Sequence, residues 1–198
     1  MDSLFSCIPQ HATTAPKTQT PLWNREPLQN ANIRIEECPL MGHFNLRMDP
    51  NSKYRAAAEA ILGARLPDAP LSSTRTEDLT IFWMAPDDWL VLMPFEKAAS
   101  FETEFRDAMK GHYSIVDVSG GQTVIRLAGI SAREVLQKST MIDVHPEQFP
   151  VGKVVGTSFA KSAATLTRVE EDTYDLIVRR SFAEYIWEWL CDASAEYR

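Results

Sequence analysis

The residues that could carry chemistry are few, and their spacing supplies little of it. His11, His43, His112 and His145 have no second histidine or cysteine two, three or four places further on. A zinc site needs three or four convergent ligands, usually partly local in sequence, so no metal motif is present. Cys7, Cys38 and Cys191 are far apart, odd in number and in no CxxC pattern. That usage suits free thiols in a reducing compartment. Asp87 and Asp88 are adjacent carboxylates at an expected turn, where neighbours point different ways and stay solvated. Asp175 falls on the strand face opposite Leu176 and Val178 and is expected to meet water or a partner. Glu170-Glu171-Asp172 reads as an exposed hairpin tip. Ser119-Gly120-Gly121 has the composition of a phosphate loop, but such a loop opens a helix. Here a strand pattern follows at 122–127, so a hairpin turn is the expectation. No nucleophile elbow is present.

The elements that would position these groups follow from hydrophobic periodicity. Residues 1–30 hold Pro9, Pro16, Pro21 and Pro27 among Thr, Gln and Asn, with no periodicity. They are expected to form a tail with little structure of its own, in which Trp23 reads as a docking anchor. Ile33 and Ile35, then Phe44, Leu46 and Met48, alternate with polar residues and predict two strands with Gly42 as the turn between them. Asp49-Pro50 reads as a helix start, followed by Tyr54, Ala57, Ala58, Ile61 and Leu62 on one face and a stop or a bend at Gly63. A hairpin over 79–84 and 89–93 turns at Pro86-Asp87-Asp88, and a helix from Glu96 buries Phe101, Phe105, Ala108 and Met109. The second half echoes this order. Strands at 114–118 and 123–127 precede a helix with a capping box of Ser131 and Glu134. Strands near 153–159, 165–169 and 174–179 precede a last helix with a second box of Ser181 and Glu184. The fold class is therefore α+β: two small subdomains of antiparallel or mixed sheet, 31–112 and 113–198, each with helices packed on one face.

Composition excludes several function classes. The 198 residues carry a net charge of −7, and an acidic surface repels phosphate backbones, so nucleic acid is not an expected partner. No apolar stretch approaches the roughly 20 residues of a membrane span. The first ten residues place Asp2, and no basic residue, before a short apolar patch, the wrong start for a secretory signal. A cytoplasmic location is the expectation.

Three stretches together resemble the gamma subunit of heterotetrameric sarcosine oxidases. The first is Met84-Ala85-Pro86-Asp87-Asp88-Trp89-Leu90, with Ala85 where the family pattern has glycine. The second runs from Val116-Asp117-Val118-Ser119-Gly120-Gly121-Gln122 through Gly129 to Ala132-Arg133-Glu134-Val135-Leu136. The third combines residues 143–149, Gly152, and Val178-Arg179-Arg180-Ser181-Phe182-Ala183-Glu184-Tyr185. That family resembles in turn the folate-binding aminomethyltransferase fold of the glycine-cleavage T-protein. The resemblance implies a complex that oxidatively demethylates sarcosine to glycine, with the one-carbon unit passing to tetrahydrofolate and electrons to oxygen. It implies alpha, beta and delta subunits as partners. FAD, FMN, NAD and the tetrahydrofolate site are expected in the large subunits and zinc in the smallest, with no cofactor, metal or catalytic residue in this chain. Where the folate enzymes place an acid, the loosely aligned Ala163-Ala164-Thr165-Leu166 has none. The alternatives are a folate-dependent aminomethyl transferase acting alone and a gamma-like subunit of a related N-methyl amine oxidase or dehydrogenase.

The last helix offers a further candidate contact with a partner. At about 100° per residue, Phe182, Tyr185, Ile186, Trp189 and Leu190 form one stripe. Trp187 falls outside it beside Ala183, Cys191 and Ser194, while Glu184, Glu188 and Asp192 cover the polar arc. Two readings of Trp187 stay open. It either widens the core face or, with Cys191, packs on a large partner subunit as an anchor.

Overall fold

The structure is a computed structural model that describes residues 18–197; Cys7 and His11 lie outside the described residues. Among the described residues, eleven strands form two wholly antiparallel sheets. The first sheet runs β4 (Ser73–Arg75), β5 (Thr80–Ala85), β6 (Asp88–Pro94), β3 (Met41–Met48), β7 (Tyr113–Asp117). The second runs β1 (Leu28–Gln29), β2 (Arg34–Glu37), β8 (Gln122–Ala128), β11 (Thr173–Arg179), β10 (Ser162–Glu170), β9 (Val154–Phe159). Helices α1 (Arg55–Leu62) and α2 (Phe95–Ala108) cover the first sheet, and α3 (Ala132–Gln137) and α4 (Ala183–Ala193) the second.

Alternation along the central strands explains this layering. On β6, Trp89, Val91 and Met93 enter the core under α1 and α2, while Leu90 and Leu92 point the other way into a cluster shared with the second sheet. On β11, Tyr174, Leu176 and Val178 meet the helix-side core and Ile177 meets that same shared cluster. A strand buried on both faces reads as a continuous apolar run, and the two inner faces pack against each other as in a sandwich. The layers are helices, sheet, sheet, helices, so the expected α+β class with helices on one face of each sheet is the one observed.

Several local expectations are corrected. Gly42 is no turn: it lies inside β3, where an added Cβ would sit 2.7 Å from the Ala98 Cβ of α2. Its missing side chain lets helix and strand approach closely. The flanking strands form no hairpin, because β2 joins the second sheet and β3 the first. Likewise Ser119–Gly121 is a 3-10 turn that carries the chain between sheets, from β7 to β8, and not a hairpin turn within one. Asp49 accepts from the Asn51 N–H at 2.9 Å in a separate turn, and α1 starts only at Arg55, with Ala57 exposed. Ala108 is exposed as well. Neither capping box forms: Ser131 makes no side-chain cap bond, and Ser181 lies inside a 3-10 turn ahead of α4. Gly63 ends α1 in the left-handed conformation, as expected.

Sheet membership divides the chain after β7, not at 112, and assigns residues 28–37 to the second sheet. Residues 18–30, expected to be unstructured, form an ordered strap. Leu22 is 1% exposed in the core that α4 and the second sheet share, and its N–H donates to Glu37 Oε2 at 3.1 Å. Arg25 Nη2 reaches Glu184 at 2.5 Å and Glu188 at 3.4 Å on α4, and β1 pairs with β2.

Candidate functional site: the seam between the sheets

The inner faces of the two sheets meet over a small apolar cluster of Cys38, Phe82, Leu90, Leu92, Val124, Val154 and Ile177. Hydrogen bonds tie the sheets beside it: Val154 N–H donates to Leu71 O at 2.9 Å and Ser73 Oγ to Gly152 O at 2.7 Å. The seam opens at two mouths, both lined by polar and charged residues of the two sheets.

At the first mouth a cavity of about 190 Å³ is lined by Arg75, Arg126, Asp175 and Cys38. Register explains the charge pair: Arg126 on β8 stands directly opposite Asp175 on β11. Arg126 Nε and Nη2 donate to the two Asp175 oxygens at 2.7 and 2.8 Å, a bidentate fork. Arg75, from the other sheet, lies 3.7 Å away. The Asp175 hydrogen bonds raise the Arg126 pKa further above its ordinary value, so the guanidinium stays charged. Asp175 is thus met by the chain's own arginines and not by bulk water as expected. The face opposite Leu176 and Val178 is covered by the first sheet, and the carboxylate is 6% exposed. Its two oxygens are held by the Arg126 fork, with the Arg75 guanidinium close by.

The neighbouring Cys38 thiol is 8% exposed. Burial first, then the nearby Asp175 charge, pushes it up to about 12. At neutral pH the thiolate that would react is scarce. Native protein at pH 7.5 is therefore expected to leave Cys38 unmodified by iodoacetamide over an hour, with full modification in urea. Peptide mass spectrometry reads both outcomes.

At the second mouth a groove of about 400 Å³ is lined by Asn45, Met84, Asp88 and Leu90 on the first sheet and by Gln122, Thr165 and Arg179 on the second. It continues into a shallower depression of about 310 Å³ over Gly156 and Ala163. Asp88 accepts from Asn45 Nδ2 at 2.6 Å and lies 3.8 Å from Arg47, which also holds Asp87 at 3.2 Å. The two aspartates thus share one arginine in place of being simply solvated. Behind this mouth His43 is 1% exposed, its N–H donating to Ser119 Oγ at 2.9 Å and its Nδ1 3.3 Å from Gln122 Oε1. Burial lowers its pKa below 6.5, against smaller raising effects of Gln122 and Asp117. A depressed histidine resists protonation in the folded chain while the unfolded chain takes the proton. Its stabilising contribution is present above about pH 6.5 and lost as pH falls below it, by at most about 1.4 kcal/mol per pH unit. His43→Gln is expected to flatten this acid limb in urea titrations between pH 7 and 5, and an unchanged limb would show that His43 is not its source.

The other residues singled out by sequence are scattered. His112 and His145 are exposed, and among the described residues no group of three metal-ligating side chains forms. Glu170, Glu171 and Asp172 do lie exposed at the β10–β11 turn. The stretch from Ala163 to Leu166 lies on β10, with Ala163 and Thr165 at the second mouth and no carboxylate of its own. Trp187 is 5% exposed and belongs to the chain's own core, together with Ala183, Ile186, Leu190 and Leu22 of the strap. Phe182, placed in the buried stripe, is 42% exposed instead. Cys191 is half-buried beside this core, near the strap's Arg25. Sequence reasoning missed Arg126, Arg75, Arg179 and Gly156. Only the strand register, which sequence does not disclose, brings them to the seam.

The family model of the sarcosine oxidase gamma subunit matches residues 47–196. The gamma subunit of sarcosine oxidase from Corynebacterium sp. (strain U-96) is 29% identical, over 83% of this chain and 80% of that one. Its counterpart from Arthrobacter sp. is also 29% identical, over 83% and 81%. In three dimensions, a chain of the heterotetrameric sarcosine oxidase from Corynebacterium sp. U-96 superposes with a TM-score of 0.83 at 26% identity, covering 91% of this chain and 96% of that one. Aminomethyltransferase T of the glycine cleavage system from Bartonella henselae shares the fold at a TM-score of 0.60 and 12% identity, over 81% of this chain but 45% of the enzyme. The match over three quarters of the sequence, with the same architecture over 91% of the chain, means that the chain belongs to the sarcosine oxidase, gamma subunit family.

Proposed function

We propose that the chain is the non-catalytic structural subunit of a heterotetrameric sarcosine oxidase, an assembly that demethylates sarcosine to glycine and passes the one-carbon unit to tetrahydrofolate. The observation that carries this reading is the mutual coverage with one chain of such an oxidase, 91% and 96% at a TM-score of 0.83. The seam supports it: Asp175 and Arg126 neutralise each other, and the Cys38 thiol is held protonated. A site for acid–base or nucleophilic work would keep such groups poised. The partners are alpha, beta and delta subunits, which hold FAD, FMN, NAD, tetrahydrofolate and zinc, and the assembly is cytoplasmic. Among the described residues no helix is long and apolar enough to cross a membrane.

Co-expression of the other three subunits with and without this chain tests the proposal. Omission is expected to abolish the assembled oxidase, and undiminished sarcosine turnover without the chain would overturn it. A second reading, a folate-dependent transferase acting alone, draws on the aminomethyltransferase fold, but fold does not carry function without its site. Saturable micromolar binding of tetrahydrofolate to the isolated chain in calorimetry would favour it, whereas the subunit reading expects none.

A further inference from the structure

Gly156 lies within β9 and is exposed. Its φ is outside the left-handed region, and a Cβ added to it would meet no atom within 4 Å. Neither backbone conformation nor packing inside this chain calls for glycine there, whereas Gly42 has Ala98 against it and Gly63, Gly111, Gly129 and Gly152 have positive φ; Gly120 and Gly121 are equally open but lie in a 3-10 turn outside any strand. Glycine inside a strand weakens it, and it recurs where another backbone or a ligand comes close.

Register shows what surface Gly156 belongs to. Val124, Ile177, Thr165 and Gly156 form one cross-strand row. Its first two members are buried in the seam, and the row then continues into the open as Thr165 and Gly156. Facing it across the groove are Asn45 and Met84, the latter 36% exposed. Arg179 stands between. Most described arginines have a carboxylate partner in this acidic chain, and Arg168 is held by the carbonyls of Phe149 and Glu171. Arg179 makes no ion pair or side-chain hydrogen bond, yet it lines both parts of the groove.

We propose that this groove seats an extended segment of a larger partner subunit, with a carboxylate of the segment on Arg179 and its backbone against Gly156. The proposal rests on the subunit reading and deepens it by naming the surface. An unpaired guanidinium beside an uncovered strand face selects a carboxylate flanked by small or apolar residues. A small molecule fits less well, because ligand pockets enclose most of their ligand and this surface stays open along β9 past Ser158.

The test is binding of the full chain to the other subunits, with melting temperature read on the chain alone. Gly156→Val fills open space with a strand-favouring residue. It is expected to leave the melting temperature unchanged or raised while weakening assembly at least tenfold. Arg179→Glu is expected to weaken assembly at least tenfold and Arg179→Lys less. Should Gly156→Val lower the melting temperature, Arg179→Glu, at an exposed position, decides. Normal assembly by Gly156→Val and Arg179→Glu overturns the proposal, whether the groove then takes a small carboxylate or nothing. A wild-type chain that fails to assemble overturns the subunit reading itself, and this seat with it.

Discussion

Trp187→Ala is expected to destabilise the isolated chain by about 3–5 kcal/mol, the usual cost of truncating a large buried aromatic. At this chain length that corresponds to a melting temperature lower by roughly 10 °C. The indole is 5% exposed in the core between α4 and the second sheet, and Leu22 of the strap belongs to the same cluster. Truncation leaves a void that rigid neighbours fill only in part. Assembly with partner subunits, measured at low temperature where the variant remains folded, is expected to persist. A melting temperature within about 2 °C of wild type, combined with lost assembly, would instead place Trp187 at the interface.

The second large effect is expected at the buried charge pair. Removing one member of a buried pair costs about 3–5 kcal/mol, because the other charge is stranded. Arg126 keeps 35% of its side-chain surface in water, which screens part of this, so Asp175→Ala is expected to cost about 2–3 kcal/mol. Replacing both members together, Asp175→Leu with Arg126→Leu, is expected to recover all but about 1 kcal/mol, since well-packed apolar residues substitute for buried ion pairs at little cost. Urea denaturation of Asp175→Leu, Arg126→Leu and the double variant gives the coupling directly. Additive losses would mean that the fork contributes nothing beyond its separate residues.

These two residues also show where the sequence was legible and where it stopped being so. Period-two alternation located nearly every long strand, because each is buried on at least one face and the pleat fixes which side chains share it. Alternation put Asp175 opposite Leu176 and Val178 correctly. It could not say that a second sheet covers that face, since inter-sheet packing is non-local and the partner Arg126 is 49 residues away. The helical wheel of α4 likewise put Trp187 away from the main stripe. What it could not show is that the strap supplies a second wall: Leu22 is one apolar residue in a polar, proline-rich stretch whose composition resembles a tail. Gly42 and Gly156 teach the same lesson. A glycine in a strand pattern reads as a break, whereas here one admits a helix and the other leaves a surface open. The seam itself was invisible, because its members come from β3, β4, β5, β6, β8, β9, β10 and β11 and meet only through strand register and the packing of one sheet on the other. The family likeness, by contrast, was readable from three short stretches, and the match over residues 47–196 agrees with it.

The subunit assignment is tested most directly by purifying the chain through an affinity tag from its native host and weighing what comes with it by native mass spectrometry. The account predicts a single assembly of four different chains, with this one present once, a flavin spectrum that follows the larger chains after dissociation, and sarcosine oxidation by the intact assembly only. A chain recovered alone, or one that retains flavin or turns over sarcosine after separation from every partner, would contradict it.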